Sequence, residues 1–337
     1  MRAGGHIILS TLIKDLFRDY EYVSFDLPSI AEQAETNPQL FFSQHAQNIL
    51  LDEVQYVPSL FRYLKYRVDE HPQKGAYILT GSQNFLLMKN ITESLAGRCG
   101  ILHLFPLSFE EIKESGHYPE ISELDMVVKG GYPKLWAEAE TDREIFFSSY
   151  IATYIERDVR NILNIGKIRE FERFLRVLAM RSAQILSYSD IARDVGVAVS
   201  TIKDWINVLW ASNQIFLLEP YYRNLGKRVT KSPKIYLCDT GLLCFLLNIH
   251  KTEDFLRSPL LGNIWETFVV NQIVSAFGSR GIRPDFYFWR TRDGSEIDIV
   301  IERAGSISAF EIKFSEFIKS AETLRRQRHV SFRLYAE

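Results

Sequence analysis

Residues 1–115 alternate between two hydrophobic periodicities, and this alternation constrains the fold more than any other feature of the chain. Runs of apolar, β-branched and aromatic residues occur at YEYVSFDL (20–27), NILLDEV (48–54), GAYILTGS (75–82) and GILHLFPLS (100–108). Helical spacing of apolar residues occurs between them, in STLIKDLFRDY (10–20), PSLFRYLKYRVDEH (58–71) and NFLLMKNITESLAG (84–97). Strands that alternate with helices are typical of βαβ units. The pattern therefore predicts an α/β domain built on a parallel sheet.

The composition of the chain limits the classes of protein to which it can belong. With 337 residues, 46% of them hydrophobic, the chain can bury two or three domain cores. Its net charge of -2 provides no global positive field that would attract nucleic acid, so such binding requires a local patch. Cys99, Cys238 and Cys244 form no CxxC pair, which favours a reducing compartment over a disulfide framework. Because no apolar run reaches membrane-spanning length, we expect a cytoplasmic protein with no membrane partner.

Polar side chains follow two of the predicted strands. Asp52 and Glu53 end the run NILLDEV, and Ser82 and Gln83 end the run YILTGSQ. Because sites on parallel sheets gather at the carboxyl ends of the strands, we expect these side chains to lie close together. Asp52 can hold Mg²⁺ directly or through water, Glu53 can orient or deprotonate an attacking water, and the polar pair can sense a terminal phosphate. An acidic pair at a strand end can equally be a helix N-cap or a solvated turn.

Arg98 lies in LAGRCG, at the predicted end of a helix just before the fourth apolar run. In this order, NILLDEV, YILTGSQNF and LAGRCG resemble an AAA+ ATPase of the bacterial and archaeal type in which the ATPase is followed by a long domain of unknown function. Six further segments resemble that family, namely GGYPKLW (130–136), YIERDV (154–159), YSDIARDVGV (188–197), RNLGKRVTKSPKIYLCDTGLL (223–243), GNIWETFV (262–269) and SEIDIVI (295–301). The resemblance implies a P-loop fold, ATP and Mg²⁺ as cofactors, and a homo-oligomer in which Arg98 reaches a neighbouring subunit's nucleotide as an arginine finger.

The N-terminus departs from the Walker A pattern GxxxxGK[ST] of P-loop ATPases. If STLIKDLFRDY is the helix that follows the loop, Ser10 and the adjacent Thr11 stand where a hydroxyl contacts Mg²⁺. Leu9 then replaces the phosphate-binding lysine, and Ile8 and Ala3 replace the last and first glycines. The chain either begins late or is a degenerate copy, and the sequence leaves both alternatives open. We expect ATP binding and hydrolysis to be impaired in this chain.

Residues 116–245 are rich in helical periodicity and contain a helix-turn-helix pattern at YSDIARDVGVAVSTIKDWINVLW (188–210). The predicted N-cap is Ser189, the turn is at Gly196, and Ser200 opens the second helix. IFLLEPYY and KIYLCD flank the basic loop RNLGKRVTKSPK, which gives a winged arrangement that can bind duplex DNA. The residues predicted to contact DNA are Ser200, Thr201, Lys203, Arg223, Lys227, Arg228 and Lys231, and Lys234 is a further basic residue of the same loop. A winged helix that binds a protein partner, with a merely solvated loop, is the alternative.

The last part of the chain carries acidic residues in the element order of the PD-(D/E)xK nuclease core, which it resembles. GNIWETFVVNQIVSAF predicts a helix, and DFYFWRTR, SEIDIVIE and ISAFEIKFS predict three strands, followed by a helix and a strand. Glu311 and Lys313 are two residues apart on one strand and share a face, and the neighbouring strand can bring Asp298 alongside. With Glu266 from the helix, these carboxylates can hold Mg²⁺ that polarises a phosphodiester, while the lysine positions the attacking hydroxide. A solvated strand face and a salt-bridged cluster without metal are the alternatives.

The expected architecture is an α/β protein of three blocks. Residues 1–115 form a parallel-sheet AAA+ domain without an intact P-loop, 116–245 a helical and winged-helix domain, and 246–337 an α/β nuclease-like domain. The first functional hypothesis is an AAA+ family ATP-binding protein associated with DNA. The second is a Mg²⁺-dependent nuclease, in which the ATPase block is a structural platform and Glu296 is either a substitute ligand or incidental. The third is a non-catalytic module that binds a protein partner.

Overall fold

A computed structural model describes residues 11–45, 48–81, 94–155, 168–221, 232–282, 284–291, 295–314 and 333–335. The chain folds into two compact units, Met1–Leu102 and His103–Glu337. No helix among the described residues combines the length and the apolar character that crossing a lipid bilayer requires.

The first unit contains a parallel sheet of three strands in the order β1, β2, β3. The strands are β1 (Glu21–Ser24), β2 (Ile49–Asp52) and β3 (Tyr77–Leu79). The register pairs Ser24 with Asp52, so the carboxyl ends of β1 and β2 lie at one edge of the sheet. The helices are Pro28–Thr36, Pro38–Ser43 and Leu60–Glu70, with a 3-10 turn at Val54–Tyr56. The predicted α/β unit with a parallel sheet is confirmed.

Apolar side chains of β2 and of the surrounding helices form the core of this unit. Ile49 and Leu51 are fully buried, and every residue of β2 is buried, which explains why its run is continuously apolar. The predicted fourth strand at residues 100–108 is wrong, because these residues form no regular element. Leu102 is 91% exposed and Leu104 is 58% exposed, so the alternate apolar side chains of this run do not pack against a sheet.

The second unit contains a seven-stranded sheet in the order β10-β9-β8-β7-β5-β6-β4. Its strands are β4 (Gln184–Ile185), β5 (Ile215–Pro220), β6 (Lys234–Leu237), β7 (Asp285–Arg290), β8 (Glu296–Arg303), β9 (Ser306–Glu311) and β10 (Arg333–Tyr335). Its described helices are Phe109–Glu114, Glu123–Lys129, Pro133–Ala137, Arg143–Tyr150, Ile168–Met180, Tyr188–Val195, Val199–Ala211, Thr240–Leu246, Thr252–Leu256 and Leu261–Gly278, with a π-helical turn at Ile151–Ile155.

The middle and last sequence blocks share one sheet and one core. β5 pairs in parallel with β7, which places Glu219 beside Tyr287. One cluster of buried residues extends from Ile112 to Ile312 and includes apolar side chains on both sides of residue 245. The structure thus differs from the expected division at 245, because the apolar faces of the two blocks bury each other. Hydrophobic periodicity reports the local element and cannot show which faces meet.

Asp239 joins two of the segments that carry the family resemblance, GGYPKLW and KIYLCDTGLL. It is buried, and its Oδ2 accepts a hydrogen bond of 2.7 Å from the N–H of Gly131. Its Oδ1 accepts one of 2.8 Å from the N–H of Leu242 and so caps the helix Thr240–Leu246. The backbones approach closely here, since a Cβ on Gly241 would lie 2.4 Å from the carbonyl oxygen of Lys129. Both segments therefore have a structural reason for their glycines.

We predict that Asp239→Ala destabilises the protein more than removal of an ordinary helix cap. The substitution leaves two buried N–H groups without their acceptor, which costs about 2–4 kcal/mol of unfolding free energy. The matched control is Asp142→Ala, because Asp142 is exposed and accepts only from the N–H of Ile145, at 2.9 Å. We expect the loss of this helix cap to lower the free energy of unfolding by about 1 kcal/mol. Urea unfolding of both variants measures the difference, and equal losses would contradict the role assigned to Asp239.

Candidate functional site

The acidic pair Asp52–Glu53 lies at the carboxyl edge of the three-stranded sheet. Asp52 ends β2 and is 2% exposed. Its Oδ2 accepts a hydrogen bond of 2.5 Å from the hydroxyl of Tyr22, and its Oδ1 accepts one from the hydroxyl of Thr80. Tyr22 lies on β1 and Thr80 follows β3, so all three strands contribute to this carboxylate. Burial and the hydrogen bond to Asp52 raise the pKa of Tyr22 to about 12, so its hydroxyl remains a donor.

Glu53 has a backbone conformation that non-glycine residues seldom adopt. Its φ is 58°, in the left-handed region, and its side chain accepts a hydrogen bond from the amide of Gln55. The residue is 6% exposed, so this carboxylate is also held in a buried position. A left-handed non-glycine residue costs about 1–3 kcal/mol and persists where the surrounding structure demands it, often at functional sites. The fold therefore holds Glu53 in a strained backbone conformation.

Of the other residues predicted for the nucleotide site, the structure describes Arg98 and Thr11. Arg98 pairs with Asp69 of its own unit, with Nε 2.6 Å from Oδ1 and Nη2 3.1 Å from Oδ2. This hydrogen bonding lowers the pKa of Asp69, and a role as an arginine finger requires the pair to open. Thr11 is exposed at the start of the helical residues 11–16. Ser10, Ser82 and Gln83 lie outside the described residues.

The helix-turn-helix segment forms two helices, Tyr188–Val195 and Val199–Ala211, as predicted. Gly196 ends the first helix with a φ of 81°, but the N-cap is Ser187 and not Ser189. Ser187 has extended backbone, and its hydroxyl accepts from the N–H of Asp190, at 3.4 Å. Three residues predicted to contact DNA, Ser200, Thr201 and Lys203, lie in the first two turns of the second helix, and the first and last of them are exposed. The loop residues Arg223, Lys227, Arg228 and Lys231 lie outside the described residues.

Two of the predicted metal ligands, Glu266 and Asp298, lie in a buried cluster around the ammonium of Lys234. The Lys234 Nζ lies 2.9 Å from Glu266 Oε1 and 3.4 Å from Asp298 Oδ1, and it also pairs with Glu296. The hydroxyl of Tyr236 donates a hydrogen bond of 2.8 Å to Glu266 Oε1. These residues come from β6, from the helix Leu261–Gly278 and from β8. The tertiary structure therefore brings together one ammonium and three carboxylates.

Burial shifts the pKa values of the side chains in this cluster. Burial raises the pKa of Glu266 to about 7, against the attraction of Lys234, and burial also raises the pKa of Asp298. Burial by itself would lower the pKa of Lys234, but the neighbouring carboxylates raise it above its ordinary value. The lysine therefore stays charged at neutral pH and neutralises part of the acidic cluster.

Glu311 and Lys313 do not complete this cluster. The Lys313 Nζ lies 2.6 Å from Glu311 Oε1, and the lysine side chain is 65% exposed. The prediction that both lie on one strand is wrong, because β9 ends at Glu311 and Lys313 lies beyond it, and the two residues pair with each other at the surface. No group of three or more His, Cys, Asp or Glu side chains in the described part of the chain is arranged to hold a metal ion.

Lys234 is the residue that the sequence interpretation misplaced. It was assigned to the basic loop, yet it begins β6 and is 2% exposed. The reason is that its ammonium faces the acidic side chains of two distant elements, which its local sequence does not reveal. The sequence KIYL contains one sign that Lys234 belongs to a strand and faces a polar site. Lys234 and Tyr236 are two residues apart on an otherwise apolar strand and share a face.

Comparisons with known proteins place the chain in a family. An AAA domain model matches residues 2–113, and two domains of unknown function, DUF8612 and DUF4143, match residues 120–253 and 261–331. Uncharacterized protein Rv2008c of Mycobacterium tuberculosis and Uncharacterized protein Mb2031c of Mycobacterium bovis are each 31% identical to the chain over 315 residues, which is 93% of this chain and 68% of the relative. The chain belongs to their family.

A third relative is less similar to the chain. Uncharacterized protein MJ1544 of Methanocaldococcus jannaschii is 25% identical over 327 residues, with 89% of this chain and 70% of the relative covered. No solved structure gives a significant match. The first unit is thus an AAA domain of the P-loop NTPase class, and the last part of the second unit is a DUF4143 domain.

We predict that the protein loses stability as pH rises from about 5 to about 8. The pKa of Glu266 in the folded state, about 7, lies above its ordinary value of 4.5. The folded state therefore binds this proton more tightly, and the stability it contributes is lost as pH rises through the folded-state pKa. Glu266→Gln should flatten the dependence of melting temperature on pH. The control Glu253→Gln changes an exposed glutamate and should leave the slope intact; an unchanged slope in Glu266→Gln would contradict the prediction.

Proposed function

We propose that the chain is an AAA-type nucleotide-binding protein that associates with DNA, and that its own ATP binding and hydrolysis are impaired. The observation that carries the first part is the position of Asp52 and Glu53, two buried carboxylates at the carboxyl end of the central strand of a parallel sheet. Ligands bind at this edge in open α/β sheets. The match of residues 2–113 to an AAA domain supports the same assignment.

The residues at this edge suit magnesium and a nucleotide. Asp52 is oriented by two hydroxyls, and carboxylate and hydroxyl oxygens are the donors that Mg²⁺ and its water shell prefer. In this proposal Asp52 holds the ion and Glu53 orients or deprotonates the attacking water. The ion, when bound, neutralises charge on the phosphates, which is its general role in phosphoryl transfer.

We infer the impaired ATP binding and hydrolysis from the sequence before Ser10. Catalytic carboxylates act on phosphates that are already held, and a P-loop holds them with backbone N–H groups and a lysine. Leu9 stands at the lysine position and Ile8 at a glycine position, so this segment provides neither the charge nor the glycine. Asp52 and Glu53 cannot replace that cradle, because both carry the same sign of charge as the phosphates.

We predict that calorimetry with Mg²⁺ and a slowly hydrolysed ATP analogue finds weak or undetectable binding to the native chain. Leu9→Lys should tighten binding by roughly tenfold or more, because a hydrogen bond to a charged group contributes about 1.5–3 kcal/mol. The matched control is Leu12→Lys, which adds the same charge at an exposed leucine and should have no effect. Asp52→Asn in the Leu9→Lys background should abolish the dependence on Mg²⁺. Micromolar binding by the native chain, or binding indifferent to Asp52→Asn, would contradict the proposal.

The DNA association is supported by the order of elements in the middle of the chain. A helix (Ile168–Met180), β4, two helices, β5 and β6 follow one another, with β6 between β4 and β5 in the sheet. This order is that of a winged helix-turn-helix, in which the last helix enters a groove and the loop between the final strands contacts phosphates. A nuclease function receives no such support from the arrangement of Glu266, Asp298 and Lys234.

We predict that replacing Arg223, Lys227, Arg228 and Lys231 with alanine weakens duplex binding about equally for all sequences. The salt slope of binding should fall by up to ~0.9 per lost phosphate contact. The control replaces Arg169, Arg173 and Arg176, which lie on the exposed face of the helix Ile168–Met180 and are not predicted to contact DNA. Fluorescence anisotropy over a range of salt concentrations measures both variants. An unchanged slope in the loop variant would leave these residues as solvated surface and favour the protein-binding alternative.

A further inference from the structure

The buried cluster of the second unit has the donor set of a divalent-cation site, but an ammonium stands at its centre. Glu266, Glu296 and Asp298 each direct one oxygen at the Lys234 Nζ, and the lysine side chain is 3% exposed. Three acidic side chains around one centre are unfavourable without a cation, since each raises the pKa of the others. In this chain the lysine supplies that cation from within the fold.

The carboxylates are held in place independently of the lysine. Asp298 Oδ2 accepts a hydrogen bond of 2.7 Å from the N–H of Ile312, which leaves Oδ1 for Lys234. Glu296 Oε2 lies 3.6 Å from Arg290 Nε, and its other oxygen pairs with the ammonium. Glu266 Oε1 is fixed by the hydroxyl of Tyr236. Each carboxylate therefore has a second anchor, so the three are preorganised around one point.

The native residues do not fit a metal ion at this point. Mg²⁺ and Mn²⁺ need free carboxylate oxygens, and the oxygens that converge here already contact the ammonium. A divalent ion at the same centre would lie against a buried like charge. Lys313, which a nuclease-type arrangement places beside the metal, is at the surface with Glu311. The donor set is suitable for a cation, and Lys234 excludes a second one.

We propose that the Lys234 ammonium occupies the position of the divalent cation, so that the cluster is independent of metal in the native chain and becomes a Mn²⁺ site once the amine is removed. This inference concerns the second unit and goes beyond the proposed nucleotide and DNA functions. Lys234 acts as an internal counter-ion that keeps three acidic side chains together without an exchangeable ligand.

The test measures Mn²⁺ binding to the full chain through the electron paramagnetic resonance signal of free Mn²⁺, together with the melting temperature. The native chain should take up no Mn²⁺ at this site, and its melting temperature should not respond. Lys234→Met keeps an unbranched side chain, shorter by one atom, and removes the charge. This variant should bind one Mn²⁺ more than the native chain and regain melting temperature when Mn²⁺ is added, and the further change Asp298→Asn should abolish both effects.

Two controls separate the cation site from a general effect of losing a lysine. Lys234→Arg keeps a cation at the centre and should not bind Mn²⁺. Lys113→Met removes an exposed lysine of the same unit and should behave as the native chain does. A folded Lys234→Met that binds no Mn²⁺ would overturn the proposal, as would native-chain binding that Asp298→Asn removes. If Lys234→Met does not fold, the native chain and Lys234→Arg still decide the matter, because Mn²⁺ binding at Asp298 in either one overturns it.

Discussion

The ammonium of Lys234 connects three elements of the second unit that lie far apart in the chain. It begins β6, and its partners are Glu266 on the helix Leu261–Gly278 and two carboxylates on β8. Removing one member of a buried ion pair leaves an uncompensated charge and typically costs about 3–5 kcal/mol. This interaction therefore contributes to the position of β6 relative to the helix and to β8, together with the pairing of β5 with β7 and the shared apolar core.

The segments that carry the family resemblance acquire a physical meaning from this arrangement. KIYLCDTGLL, GNIWETFV and SEIDIVI meet at Lys234, because they contribute the ammonium, Glu266 and the acidic residues of β8. GGYPKLW meets the same first segment at Asp239, which accepts N–H groups from both sides of the contact. These polar and glycine positions of the motifs thus have structural partners within the second unit, and their presence does not require a ligand.

The acidic pair of the first unit is held in a different way from the acidic cluster of the second unit. Its acidic pair lies at the edge of a parallel sheet, where Tyr22 and Thr80 orient Asp52 and a strained backbone holds Glu53. Strain and buried charge both oppose folding, and the fold retains them here at the edge where ligands of α/β sheets bind. The contrast with the second unit is that Asp52 accepts hydrogen bonds from two hydroxyls, whereas the ammonium of Lys234 contacts the carboxylates of the buried cluster.

The local elements were determined by the sequence alone. Alternating periodicities predicted the parallel sheet of the first unit, the apolar run NILLDEV predicted the strand β2, and the helix-turn-helix pattern predicted a turn at Gly196, which has a positive φ in the structure. The position of Asp52 and Glu53 at the strand end was predictable for the same reason. The spacing of Glu311 and Lys313 favoured their proximity, and the two side chains pair, although β9 ends at Glu311 and Lys313 lies beyond it.

The tertiary structure decided which faces and which charges meet. Lys234 looks like one more basic residue of a loop until β6 packs against the helix that carries Glu266, a partner 32 positions away. The run at residues 100–108 has the composition of a strand, but no sheet covers it. Sequence patterns register the short-range preferences of the backbone, whereas burial and charge pairing depend on contacts between distant segments. Those contacts placed a lysine at the centre of the acidic cluster.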